Sequence, residues 1–203
     1  MVCYGGVIKT KGEIKRERIL AAARELFNTK GFGATTIKDL VEFTGAKKGC
    51  LYFHFSGKEE IAQAVFQEAS GQFMEFLENA LAGDNAGAAL DSFLNLALER
   101  QISAGFVGGC IFGNTALEMS DVNEEFARLV ECFFDEWIAR LAHVVERAQV
   151  NGQLRKDISP GAVARQIVGS LEGGIMMSRL KKSEQPMREC LDVLRRTLEL
   201  KSR

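Results

Sequence analysis

Only two prolines, Pro160 and Pro186, interrupt the chain of 203 residues. A proline inside a helix removes a backbone N–H and clashes with the preceding turn, so a chain with so few prolines permits long helices almost everywhere. A turn-rich all-β fold is poorly supported for the same reason. Because 46% of the residues are hydrophobic and 26% are charged, the chain can also bury a substantial core. We therefore expect an all-α protein.

The five cysteines, Cys3, Cys50, Cys110, Cys132 and Cys190, are odd in number and form no CxxC pair. This pattern argues against a disulfide framework and against a structural zinc site, so we expect reduced thiols and no bound metal. The first ten residues lack a secretory apolar stretch, and no later run reaches the roughly 18 apolar residues of a membrane span. We expect a cytoplasmic protein without cofactor or membrane contact.

The net charge of −1 conceals an uneven distribution along the chain. Up to Lys58, eleven Lys and Arg residues outnumber five Asp and Glu residues, which leaves the remainder of the chain acidic. A basic N-terminal part has favourable electrostatics for a polyanion such as DNA. The alternative is an ordinary solvated charged face.

The basic part has the pattern of a helix-turn-helix. Apolar residues recur at helical spacing over 13–29, and Gly31 ends this first helix. Thr36 and Asp39 resemble a capping box that begins a second helix, and Gly45 separates it from a third over 46–53. Two short helices joined by a glycine-containing turn form a DNA-reading unit.

These residues resemble the DNA-binding domain of the tetracycline-repressor (TetR) family of regulators. The match runs in order through Ile19-Leu20-Ala21-Ala22-Ala23, Lys30-Gly31-Phe32, Thr35-Thr36-Ile37-Lys38-Asp39-Leu40 and Gly45-Ala46-Lys47-Lys48-Gly49-Cys50-Leu51-Tyr52-Phe53-His54-Phe55-Ser56-Gly57-Lys58-Glu59. The resemblance implies a repressor with two domains, an N-terminal DNA-binding domain of three helices over 1–57, including a basic arm, and a C-terminal helical domain over 58–203 that binds a ligand and dimerises. About nine helices are expected in total.

The candidate DNA-binding residues divide by the contact that each side chain suits. Lys47 and Lys48 begin the recognition helix and can donate to guanine in the major groove, while Gly49 leaves room for close approach. Donors suited to phosphate are carried by Thr36, Tyr52, His54 and Lys58. Cys50 stands where the family often has a phosphate-contacting Ser or Thr, and Lys47 replaces the usual hydroxyl cap. Two alternatives remain: Tyr52 is a core aromatic, and His54 is a capping or core histidine.

Six further helices are predicted beyond residue 57. Ser56 and Glu59 resemble a capping box for a fourth helix that runs to about Leu81. A fifth helix spans 86–103, a sixth ends near residue 119, and a seventh follows Asn123. Ser159 caps an eighth helix before its first-turn proline, and Pro186 is expected to start the ninth in the same way.

The family resemblance implies a homodimer formed through the last two helices, about residues 160–201. Dimerisation also makes physical sense, because two recognition helices about 34 to 36 Å apart can enter successive major grooves of a two-fold operator. We expect effector binding to favour a dimer whose recognition helices no longer match the operator spacing.

An effector pocket is expected among helices four to eight. Its candidate lining is Phe73, Phe93, Cys110, Phe112, Asn114, Glu118, Phe133, Phe134, Trp137 and Met176. The alternative is that the aromatic residues are plain core and that the polar residues face solvent or cap a neighbouring helix.

Cys110 supports two further hypotheses. At a helix N-terminus, the dipole would lower the pKa of its thiol and favour electrophile or redox sensing, with Arg179 as a positive neighbour. An inert buried cysteine is the alternative. An enzyme with Cys110 as nucleophile lacks a recognisable motif and has only two histidines as candidate bases. A non-specific architectural DNA binder does not account for the aromatic-rich C-terminal part.

Overall fold

The computed structural model describes residues 10–201, so residues 1–9 of the predicted basic arm lie outside the described residues. Within 10–201 the chain forms nine α-helices and no strand, which confirms the predicted all-α fold. The helices are α1 Lys11–Lys30, α2 Ile37–Thr44, α3 Lys48–His54, α4 Lys58–Ala80, α5 Ala86–Ser103, α6 Ile111–Met119, α7 Glu124–Val150, α8 Pro160–Lys181 and α9 Gln185–Thr197.

The chain divides into two compact units, one up to Gln67 and the other from Glu68 onward. The division lies inside α4, whereas the sequence placed the domain boundary between residues 57 and 58. The reason is that Ile61 and Val65, on the first two turns of α4, are buried and belong to the first unit. The start of a helix is therefore not the limit of the first unit.

The first unit has a small apolar core shared by its short helices. Ile19 and Ala23 of α1, Leu40 of α2 and Leu51 of α3 are fully buried. Gly45 adopts a left-handed conformation with φ of 67°, which turns the chain sharply between α2 and α3. These features produce the predicted helix-turn-helix.

Thr36 and Asp39 form the predicted capping box of α2. The Asp39 backbone N–H donates to the Thr36 hydroxyl at 3.1 Å, and the Thr36 backbone N–H donates to Asp39 Oδ2 at 2.7 Å. The Lys30 ammonium also donates to this oxygen at 2.7 Å. The bonds from Lys30 and Thr36 hold the pKa of Asp39 well below its usual range, so the cap keeps its charge at neutral pH.

The predicted capping box between Ser56 and Glu59 is wrong by one residue. Because α4 begins at Lys58, its third residue is Glu60, and that side chain reaches back to the preceding turn. The Ser56 backbone N–H and hydroxyl donate to Glu60 Oε2 at 2.6 and 2.7 Å. These bonds lower the pKa of Glu60.

The helix starts of the second unit follow the sequence except at α9. Asn123 accepts from two N–H groups at the start of α7, and the Ser159 hydroxyl accepts at the start of α8, as predicted. Pro186, which was expected to start the ninth helix, is its second residue. α9 begins one residue earlier, at Gln185, and Glu184 at its cap position makes no side-chain bond to the helix.

In the second unit α8 packs against both α7 and α9. The α8–α9 junction is close because the backbone N–H of Met187 donates to the buried Ser178 hydroxyl at 3.0 Å, and Gly174 leaves room for Met187. Among residues 10–201, no helix combines the length and the apolar character of a membrane span. Over the same residues, no group of three or more His, Cys, Asp or Glu side chains is arranged to hold a metal ion.

Gly174→Ala is expected to lower the free energy of unfolding by about 1 to 3 kcal/mol, since overpacking forces backbone shifts. The added Cβ would lie 3.1 Å from Met187 Cα, a backbone atom that cannot rotate away. The control is Gly71→Ala in α4, where a Cβ meets no heavy atom within 4 Å and the better helix propensity adds up to about 1 kcal/mol. Urea denaturation of both variants measures the difference, and equal stability would contradict the packing account.

Candidate nucleic-acid interface and ligand groove

α3 presents its predicted DNA-reading residues to solvent. Lys47, Lys48 and Gly49 are exposed, while Leu51 on the opposite side anchors the helix in the core. Lys47 makes no side-chain cap bond to α3, as its residue type predicted. A helix anchored on one face and positively charged on the other is suited to enter a DNA groove.

Tyr52 is 47% exposed, so it is not a core aromatic. The Lys48 ammonium lies 5.8 Å from the centre of the Tyr52 ring, within the range of a cation–π contact. His54, the last residue of α3, is half-buried, and its ring lies between those of Phe53 and Phe55 at 5.1 and 6.4 Å. Tyr52 is therefore more accessible to a ligand than His54.

Lys58 and Thr36 already bond within the first unit. The Lys58 ammonium donates to the Phe32 carbonyl at 2.9 Å and lies 4.2 Å from the centre of the Phe32 ring. It thereby ties the α1–α2 link to the start of α4. Thr36 is exposed, yet its hydroxyl donates to Asp39 Oδ2 at 2.8 Å. Both side chains hold the backbone around the second helix.

A basic groove of about 360 Å³ lies beside the recognition helix. Lys15 and Arg18 of α1 line it together with Lys47 and the half-buried Cys50. From the sequence, Lys15 and Arg18 were counted as charge but neither was assigned to a site. Their spacing of three residues, which brings two side chains to one face of a helix, was the available signal.

Several of the predicted pocket aromatics pack against one another in the second unit. The Phe73 ring centre lies 5.6 Å from that of Phe112, 5.5 Å from Phe133 and 4.7 Å from Trp137. Phe112 and Phe133 stack at 3.7 Å. Phe112, Phe133 and Trp137 are buried, as is Phe93. These side chains form core, which was the alternative to a pocket wall.

A separate groove of about 320 Å³ brings together four of the predicted ligand residues. Its lining is Gly109, Cys110, Gly113, Asn114, Ala116, Leu117, Phe134, Glu172, Gly173, Ile175, Met176 and Arg179. We call this the α6–α8 groove. Cys110, Asn114, Phe134 and Met176 belong to it, whereas Phe73, Phe93, Phe112, Glu118 and Trp137 do not line it. Sequence reasoning missed Glu172, because nothing local to α8 shows that it lies opposite α6.

The Cys110 thiol lies against the Glu172 carboxyl group. Burial, together with the neighbouring Glu172, raises the pKa of the thiol far above its ordinary value, although the amides of Gly113 and Phe112 act in the opposite direction. The expectation of a lowered thiol pKa is therefore wrong, because burial and Glu172 outweigh the amides at the start of α6. Arg179, the expected positive neighbour, donates to Asn114 Oδ1 at 3.2 Å, and Asn114 donates to the Gly108 carbonyl at 2.7 Å.

Together, the anchored α3, the turn at Gly45 and the exposed lysines define the first unit as a helix-turn-helix DNA-binding domain. Residues 19–65 match the family described as bacterial regulatory proteins of the tetR family. Residues 86–194 match the family described as tetracyclin repressor-like, C-terminal domain. The chain belongs to the TetR family of transcriptional regulators. This is not a family of enzymes, so the hypothesis of a cysteine nucleophile is wrong.

Similar proteins include regulators with related sequences and folds. The transcriptional repressor DhaR of Mycobacterium sp. (strain GP1) is 20% identical over 88% of this chain and 89% of its own. The transcriptional regulator AcuR of Cereibacter sphaeroides is 24% identical over 86% and 80%. The crystal structure of a TetR regulator from Chloroflexus aurantiacus is 31% identical, with a TM-score of 0.81 over 91% of this chain and 93% of that one.

Cys110 is expected to resist alkylation at pH 8, at which the exposed Cys132 serves as an internal reference. The pKa of the Cys110 thiol is raised, so the thiol stays protonated below that pKa, and the thiolate that attacks forms only as the pH rises towards it. Iodoacetamide labelling followed by peptide mass spectrometry should therefore show Cys132 modified at least tenfold faster. Faster modification of Cys110 would restore the electrophile-sensing hypothesis.

Proposed function

We propose that this regulator represses transcription by binding a two-fold operator as a homodimer and that a small-molecule effector releases it. The observation that carries the proposal is α3, whose Lys48 and Tyr52 reach solvent while Leu51 is buried. In this proposal α3 enters the major groove and the Lys48 ammonium donates to guanine O6 and N7. Repression is also the role of DhaR, the transcriptional repressor to which this chain is similar.

The other DNA-facing residues are proposed to position the unit on the phosphates. Lys15, Arg18 and Lys47 concentrate positive charge around one groove, which suits a phosphate more than a base edge. A Cβ added at Gly49 would meet no heavy atom within 4 Å, which supports close approach of the backbone to DNA. The remaining proposed contacts are Thr36, Cys50, Tyr52, His54 and Lys58, of which Thr36 and Lys58 act mainly by holding the local backbone.

A homodimer through residues 160–201 is supported by an exposed apolar face on α8. Met177 is 38% exposed and Leu180 is 79% exposed. Gly169 and Gly173 lie on the same face, because residues three, four and seven apart align on a helix, and a Cβ added at either would meet nothing within 4 Å. Small residues beside apolar ones let a second helix approach closely. We call Gly169, Gly173, Met177 and Leu180 the α8 face.

Release is proposed to follow a population shift between two dimer geometries. An effector that binds the second unit releases the operator only if it prefers the geometry that does not fit the operator. α4 is a candidate for transmitting this preference, because it is one continuous helix that contributes residues to both units. DNA affinity that is the same with and without a bound effector would contradict this part of the proposal.

Lys48→Ala is expected to weaken binding to a duplex selected by the wild-type protein by about 10-fold or more, since a good base contact contributes roughly 1 to 3 kcal/mol of discrimination. Lys156→Ala is the charge-matched control, because Lys156 is exposed in the second unit. Fluorescence anisotropy with a labelled duplex measures both. If the two substitutions weaken binding equally, Lys48 contributes only general charge and does not read bases.

Leu180→Glu is expected to convert the dimer into a monomer, since it buries a charge in the proposed apolar contact. Val150→Glu introduces the same charge at an exposed apolar residue on α7, where Val150 is 73% exposed, and should leave the dimer intact. Size-exclusion chromatography with light scattering reports the mass of each variant. A dimeric Leu180→Glu protein would remove the α8 face from the interface.

A further inference from the structure

The α6–α8 groove contains one polar group that the fold leaves without a partner. Glu172 Oε1 is buried and accepts no hydrogen bond, while the Cys110 thiol bonds to the same carboxyl group. An unsatisfied buried acceptor costs free energy that a ligand donor would recover, and the cost is larger for a charged group. The groove therefore has an acceptor in place before any ligand arrives.

The opposite charge in the groove is already engaged. Among the residues that line it in the described structure, Arg179 is the basic one, and its guanidinium donates to Asn114. Asn114 is itself fixed by its bond to the Gly108 carbonyl. Arg179 lies two turns along α8 from Glu172, so it does not neutralise that carboxylate. The groove lacks a cation where Glu172 stands.

The remaining walls are suited to an apolar body. Phe134, Ile175 and Met176 line the groove together with Ala116 and Leu117. The Phe134 ring stacks on that of Trp137 at 5.8 Å, which holds it in place. An aromatic ring also attracts a cation through its face. A volume of about 320 Å³ is at the small end of the range for ligand pockets.

We propose that the α6–α8 groove binds a small organic amine, with its protonated nitrogen donating to Glu172 and its apolar body against Phe134, Ile175 and Met176. Burial raises the pKa of Glu172, and a protonated amine, which makes the strongest hydrogen bond to a carboxylate, would favour the ionised form of this group. Gly113 is part of the site, because a Cβ there would collide with Glu172 Oε2. The inference rests on the proposed function in one respect, since it names the chemical class of the effector.

The groove adjoins the α8 face, which gives the ligand a route to regulation. Met176 lines the groove and is 55% exposed. It is three residues from Gly173 and four from Leu180, so it is their neighbour on the helix surface. Gly173 belongs to both the groove and the α8 face. A ligand bound in the groove would therefore lie next to the proposed dimer contact and could change its packing.

The test is calorimetric titration of the full chain with matched probes. The amines are 2-phenylethylamine, 4-phenylbutylamine and hexylamine, and each is compared with the alcohol and the carboxylate of the same carbon skeleton. We expect at least one amine to bind at least tenfold more tightly than its alcohol and carboxylate. Binding by no amine, or equal binding of all three classes, would overturn the proposal.

Variants assign the preference to Glu172. Glu172→Gln keeps the shape but removes the charge, and it should lower amine affinity at least tenfold. Glu131→Gln, at an exposed position of α7, is the control and should change nothing. Gly113→Ala displaces the carboxyl group and should also lower amine affinity. Undiminished amine binding by a folded Glu172→Gln protein would contradict the assignment.

DNA binding measured with and without the amine separates this inference from the proposed function. An amine that binds in a Glu172-dependent manner but leaves DNA affinity unchanged supports the site and contradicts its role as effector site. If other compounds release the DNA but none of the amines binds the protein, the chain is a ligand-responsive repressor and the amine site is overturned. Circular dichroism of each variant confirms that the fold is retained.

Discussion

The burial of Leu51 against the first unit is the contact on which the DNA-binding surface depends. α3 has only seven residues, and a helix of that length is not stable in water by itself. Because Leu51 is fully buried and the left-handed Gly45 fixes the entry of the chain, Lys47, Lys48 and Tyr52 are held on the outer side. The charged surface thus follows from an apolar contact beneath it.

Polar bonds within the first unit serve the same purpose. Lys58 ties the Phe32 carbonyl to the start of α4, and Asp39 joins Lys30 to the cap of α2. Both lysines were counted as positive charge in the sequence, but each first acts as an internal hydrogen-bond donor. Pre-organising the backbone in this way reduces the ordering that binding itself would require.

Local signals in the sequence predicted the helices well, whereas contacts between residues far apart in the chain could not be predicted from it. Asn123 and Ser159 cap the helices that they were expected to cap, because a cap depends on residues within one turn. The predicted partner of Ser56 was wrong by one residue, because either Glu59 or Glu60 could reach back to it and only the position at which α4 begins selects Glu60. Glu172 and the packing of Phe112 on Phe133 depend on elements about 20 to 60 residues apart, which periodicity cannot pair.

The central claim is that two copies of α3 read a two-fold operator. Selection of bound duplexes from a random library by the chain of 203 residues at physiological salt tests it most directly. We predict enrichment of an inverted repeat whose half-site centres lie about 10 bp, or a multiple of that spacing, apart. Enrichment of no sequence, or of a motif without two-fold symmetry, would contradict it.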